Sequence, residues 1–169
     1  LKEKKSITDS SLWKGLLLLQ RWILTITSIL AVLIIVTSVV MRYVFKSDLF
    51  GIEEILIIVA FWLYFIGGVH GSYERSHIKA DLLSIYIKNE RAKLILSFVE
   101  TFITCIVAIV LSFWGYKYFI WGIEMGAKSP GWKIPLVISQ SPIFFGFVLM
   151  TFYFIYHLII DFKKMKGEI

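Results

Sequence analysis

Two stretches of this chain, residues 22–41 and 55–73, run for twenty and nineteen positions without an Asp, Glu, Lys or Arg. A helix rises 1.5 Å per residue, so about 20 apolar residues cross the hydrocarbon core of a bilayer. Two further candidates follow: residues 94–121, which contain Glu100 and Lys117, and a segment inside the uncharged run 134–160. A chain of 169 residues that is 58% hydrophobic and only 18% charged carries more apolar surface than a soluble domain of its size can bury. The runs are continuous and lack period-two alternation, which favours spanning helices over barrel strands. The expected fold is an all-α integral membrane protein. It is one domain over residues 1–169, with four transmembrane helices near residues 22–41, 53–74, 92–121 and 137–161. The first run is longer than the apolar core of a signal peptide, and "TSVVMRY" offers no small-x-small cleavage site, so it reads as an uncleaved anchor.

Lysine and arginine set the orientation of such a chain. The N-terminal segment, the connection between helices two and three and the C-terminal tail together hold thirteen of them, against five in the other two connections. This bias puts both termini in the cytoplasm. The formal net charge of +6 therefore reflects topology, and nothing in its distribution suggests nucleic-acid binding. Cys105 is the only cysteine, so no internal disulfide or C-x-x-C site is available, and it reads as a small packing residue.

Local patterns add detail. "SLWKGLLLLQRW" is amphipathic, with Trp13, Leu16, Leu17 and Leu19 suited to the membrane surface and Lys14 and Arg21 to the headgroups. The threonines of helix one suit bonds to backbone carbonyls. Gly67 and Gly71 form a G-x-x-x-G pattern with Gly68 beside it, which lets a helix approach closely, from this subunit or from another protein. Ile78, Leu82 and Tyr86 recur every four residues and suggest a short interfacial amphipathic helix between helices two and three, against lipid or protein. Asn89 then Glu90 reads as the capped start of helix three. Trp121 and Trp132 bound a Gly- and Pro-rich outer loop and fit an interfacial belt. Helix four starts either with Ser141 and Pro142 as cap and first position, or near Leu136 with a kink at Pro142.

Ionisable groups inside membrane helices are the first place to look for function. His70, Glu100 and His157 all lie toward the cytoplasmic ends of their helices, where snorkelling or structural hydrogen bonding is the plainest role and a partner contact the next. Helix centres are uncharged, which argues against an ion pathway within this chain. No Walker loop, H-E-x-x-H or nucleophile–base arrangement occurs, so no enzyme activity is expected. One competing reading makes His70 and His157 haem ligands in the membrane anchor of a quinone-linked oxidoreductase.

The stretch "MRYVFKSDLFGIEE", followed by an apolar helix ending in "FIGGVHGSYERSHIKADLL", resembles the small integral-membrane subunit of tripartite ATP-independent periplasmic (TRAP) transporters, the DctQ-like family. Arg42, Tyr43 and Phe45 match the family's R-Y/F-x-F element, and Glu53 and Glu54 its tandem acidic pair. Gly67 or Gly68 matches a glycine late in helix two, and His77, Ile78, Asp81 and Leu82 match an H-I-x-x-D-L element. Trp132 and Pro142 extend the likeness loosely into the second half. The resemblance implies a bacterial inner-membrane subunit that works with a large membrane subunit and a periplasmic binding protein, in contact with membrane lipids. Substrate, typically a carboxylate such as a dicarboxylate or sialic acid, and sodium ions are expected on the large elevator subunit. No cofactor is expected here. The small subunit then braces the static scaffold and helps receive the binding protein. Arg42, Tyr43, Glu53, Glu54, Gly67, Gly71, His77, Asp81, Glu100 and Trp132 are the candidate structural or partner-contact residues. An Arg42 pairing with Glu53 or Glu54 is expected to clamp the outer hairpin, the two glutamates being favoured at a helix N-terminus.

The charge bias makes a direct prediction. Reporter fusions after Lys46 and after Lys128 are expected to be active only as periplasmic reporters, and cytoplasmic activity at either point refutes the orientation.

Overall fold

A computed structural model of the protein describes residues 11–47, 49–75 and 89–166, leaving aside the side chains of Leu12 and Glu90. These residues form four helices: α1 (Ser11–Tyr43), α2 (Ile52–Glu74), α3 (Glu90–Met125) and α4 (Val137–Met165). All four are long and apolar enough to cross a membrane, and among the described residues the only β pairing is an isolated bridge between Lys128 and Pro135. The expected all-α, four-span architecture holds. The expected interfacial helix, with His77 and Asp81, lies outside the described residues.

Three helices outrun the apolar segments that announce them. At 1.5 Å per residue the 23 residues of α2 reach about 35 Å, close to bilayer thickness. The 33 of α1 and 36 of α3 reach about 50 Å or more, so part of each extends past the hydrocarbon or tilts. Helix propensity does not stop where hydrophobicity does: "SLWKGLLLLQ" and "GIEM" contain no proline and continue the turns on either side. At the start of α3, Asn89 Oδ1 accepts the Arg91 N–H at 3.0 Å, the cap the sequence suggests. Thr25 and Thr27 donate to the carbonyls of Arg21 and Ile23, also as expected.

α4 lies between α3 and α2, and α2 carries α1 on its other side, so the spatial order is α1–α2–α4–α3. Small residues allow the close approaches. A Cβ on Gly115 of α3 would sit 3.4 Å from the Phe144 Cα of α4, and one on Gly146 of α4 would sit 2.9 Å from the Phe65 ring of α2. A Cβ on Gly68 would fall 2.5 Å from the end of the Met150 side chain, whereas one on Gly67 would meet Leu24 of α1 at an ordinary 3.7 Å. The tight contact thus falls one position beyond the expected Gly67. Cys105 is buried, consistent with a packing role.

The amphipathic start of α1 departs from the surface placement its sequence suggests. Trp13 is buried in the cleft between α2 and α4, with its ring centroid 6.0 Å from Tyr73, 5.4 Å from Tyr153 and 4.9 Å from Tyr156. Gln20, two turns on, is also buried and donates to the Tyr153 hydroxyl at 2.9 Å. An indole removes 150–250 Å² from its surroundings when enclosed, and aromatic neighbours add edge and offset contacts that lipid headgroups lack. Leu18 and Leu19 stay exposed.

For α4, the earlier of the two possible starts is the one adopted. Leu136 precedes the first helical residue, and Pro142 sits inside the helix and is buried. Proline removes the donor that would have met the Ile138 carbonyl, and the Ser141 hydroxyl donates to that carbonyl instead, at 3.0 Å.

Burial separates two tryptophans that look alike in sequence. Trp13→Ala is expected to cost about 3 kcal/mol or more, read as a lowered thermal midpoint in detergent. Trp22→Ala, at a position 60% exposed, is expected to leave the midpoint nearly unchanged. Equal effects contradict the buried placement.

Candidate functional site

The two ends of the bundle are each closed by a polar tie. At the end formed by the α1–α2 and α3–α4 connections, Gly51 turns the chain with φ +82° into the first turn of α2, where Glu53 and Glu54 follow. Glu54 reaches across to the α3–α4 connection. Its carboxylate accepts from Ser129 Oγ at 2.6 Å, from the Gly131 N–H at 2.6 Å and from the Trp132 N–H at 2.9 Å. An ionised carboxylate has acceptor sites for all three, and such charge-assisted bonds are about twice as strong as neutral ones.

The connection is preshaped for this. The Ser129 N–H donates to the Ile134 carbonyl, the Ile134 N–H to Ser129 Oγ, and the Leu136 N–H to the Ala127 carbonyl. Gly131 leaves room for this contact: a Cβ there would lie 2.9 Å from Glu54 Oε1 and the carboxylate would have to shift. Trp132 then donates its indole N–H to the Phe50 carbonyl at 2.9 Å, closing over Gly51, where any Cβ would collide with the indole. One carboxylate and one indole thereby lock α2 to the loop that joins α3 and α4.

At the opposite end, Arg75 ends α2 in the left-handed region with φ +53° and turns its guanidinium onto α4. Its Nε donates to His157 Nδ1 at 3.0 Å, and its Nη2 donates to Asp161 Oδ1 at 2.9 Å and to the His157 carbonyl at 3.3 Å. The other oxygen of Asp161 lies 2.9 Å from Thr101 Oγ1 of α3, whose one hydrogen is shared with the Ser97 carbonyl, also at 2.9 Å. Because arginine only donates, His157 Nδ1 is the bare nitrogen and Nε2 carries the hydrogen. That Nε2–H points between the Ser72 and Tyr73 carbonyls, 3.1 Å from each, which the end of α2 leaves without helical donors. His157 and Asp161 are both buried. Three helices meet at these four side chains.

Both candidate haem ligands already have partners within the chain. A ligating imidazole needs a free ring nitrogen, and both nitrogens of His157 are engaged within the chain. His70 lies against Glu74, Nε2 to Oε1 at 3.2 Å, within α2.

Of the residues marked from sequence, the fold brings Glu54 and Trp132 into one contact. Arg42, Tyr43 and Glu53 are exposed at the same end of the bundle, and the donors on Glu54 come from the α3–α4 connection. Gly67 and Gly71 lie on α2 in partly buried positions, and Glu100 is half-buried on α3. Ser129, Gly131, Arg75, Thr101 and Asp161 are tie positions that the sequence does not single out. Arg75 and Asp161 border apolar runs, a signal that reads equally well as topology. Ser129 carries no signal short of the fold.

The chain matches the family model described as tripartite ATP-independent periplasmic transporters, DctQ component, over residues 31–164. Both polar ties fall inside that span. Among curated proteins, none matches the chain.

Removing Asp161 leaves a partly buried guanidinium without its counter-charge, whereas removing Thr101 leaves the ion pair intact. Asp161→Ala is expected to cost about 3 kcal/mol or more and Thr101→Val about 1 kcal/mol, measured by thermal unfolding in detergent. The reverse order contradicts the tie.

Proposed function

This chain belongs to the DctQ family, the small component of TRAP transporters, and from that membership we propose that it is the fixed brace of a sodium-driven carboxylate transporter. In this reading it sits in the bacterial inner membrane with both termini cytoplasmic, so the Glu54 tie faces the periplasm and the Arg75–His157–Asp161 tie the cytoplasm. A large membrane subunit carries the substrate and sodium and moves as an elevator. A soluble binding protein delivers an organic acid, a dicarboxylate or sialic acid being the expected class, to the outer face. Arg42 and Tyr43, exposed beside the Glu54 tie, are the residues we assign to contact with those partners.

The observation that carries the brace reading is that α2, α3 and α4 are joined by charged hydrogen bonds at both ends of the bundle. A part built to slide across a membrane carries a site at mid-depth; the helix centres of this chain are uncharged, and Glu54, Arg75, His157 and Asp161 are held in ties near the bundle ends. Exposed tryptophans near the ends of the apolar runs, Trp22 and Trp121 among them, resist displacement by even one helical turn, about 5 Å.

Affinity purification after mild detergent extraction is expected to recover a large polytopic membrane protein, and recovery of a flavoprotein or iron–sulfur protein contradicts the assignment. In a Cys105→Ser background, cysteine cross-links between α2 or α4 and the large subunit's scaffold are expected to form and to leave sodium-driven uptake largely intact. If every such cross-link stops uptake, the brace reading is wrong.

A further inference from the structure

Between the first two turns of α2 and the start of α4 lies a groove of about 550 Å³. Ile57, Ile58, Ile134 and Leu136 give it an aliphatic lining. Most of its polar side chains are spent inside the protein. Glu54 holds its three donors, Ser129 donates to Glu54, and Ser139 donates to the Leu136 carbonyl. Glu53 differs. It lines the same groove, it is exposed, and among the described residues nothing meets its carboxylate. Among the described residues that line the groove there is no lysine, arginine or histidine, and of its two glutamates only Glu53 is left open to a cation.

We propose that this groove is a binding site for a phospholipid with a free ammonium headgroup. The ammonium sits on Glu53, and an acyl chain runs past Ile57, one turn further into the membrane on the same face of α2, and past Ile58 beside it. Depth supports a lipid. Trp132, 58% exposed and bonded to the Phe50 carbonyl, places this end of α2 at the level where tryptophan lies among headgroups. Polarity supports it as well: Glu53 is the carboxylate left open at the rim, Glu54 being held by its three donors, and the aliphatic interior suits an acyl chain. A volume near 550 Å³ falls within the range of small-molecule pockets. The site belongs to this chain and does not depend on the transporter assignment.

The test is native mass spectrometry of the full chain released from mild detergent, with phosphatidylethanolamine and phosphatidylglycerol of identical acyl chains in competition. The ethanolamine lipid is expected to be retained about fivefold better, the ratio one charge contact near a membrane surface confers. Glu53→Gln is expected to bring that ratio to unity and Glu53→Asp to keep most of it. Glu124→Gln, at an exposed acid of α3 away from the groove, is expected to leave it unchanged. Equal retention of the two lipids by the unaltered chain, or a preference that survives Glu53→Gln, overturns the proposal. So does a Glu53→Cys chain that cross-links in membranes to another protein through the groove and excludes a photoactivatable ethanolamine lipid.

Discussion

Helices in a bilayer gain little from hiding apolar side chains against one another, because lipid chains are as apolar as leucine. Arrangement therefore depends on close packing and on polar groups that have nowhere else to bond. In this protein those groups sit at the two ends of the bundle. Glu54 gathers a hydroxyl and two backbone N–H groups of the α3–α4 connection, while Arg75, His157, Asp161 and Thr101 draw α2, α4 and α3 together at the far end. Between them the approach relies on Gly68, Gly115 and Gly146, on one hydroxyl pair, Ser112 with Thr151 at 3.0 Å, and on ring contacts. The ties set register and the small residues set distance. α1 joins through α2 and through Trp13 and Gln20, which reach the same aromatic cluster around Tyr153.

That division explains what the sequence discloses. The apolar runs announce four helices because a spanning segment must satisfy its backbone internally and face hydrocarbon, and both demands are written residue by residue. Helix ends are less visible. The turns from Ser11 to Arg21 are amphipathic and look like a surface segment, and only the position of Tyr73, Tyr153 and Tyr156 shows that Trp13 has a better place. Pro142 permits two starts for α4, and the choice rests on a hydroxyl, Ser141, whose bond to Ile138 no periodicity reveals. The tandem glutamates stand out, yet the donors that fill Glu54 lie 75 to 78 positions further along. Spacing within a segment carries no information about such a partner.

The arrangement also bears on role. Membership of the DctQ family makes this chain one component of a tripartite transporter, and its helix centres hold no charged residue with which to move an ion. What it presents outward is apolar: α1 has no buried residue beyond Gln20, and one side of α3 from Phe102 to Trp121 is exposed. Those surfaces suit lipid and a membrane partner. A stiff body with greasy flanks and a charged outer rim matches a brace better than a gate.

The account stands on α2, α3 and α4 behaving as one rigid body. Its most direct test is a distance between spin labels at Tyr64→Cys on α2 and Val107→Cys on α3, both at exposed positions, in a Cys105→Ser background within working membranes. The same single distance distribution is predicted with and without a sodium gradient and substrate. A shift of about one helical turn, 5 Å, or a second population under transport conditions would contradict it.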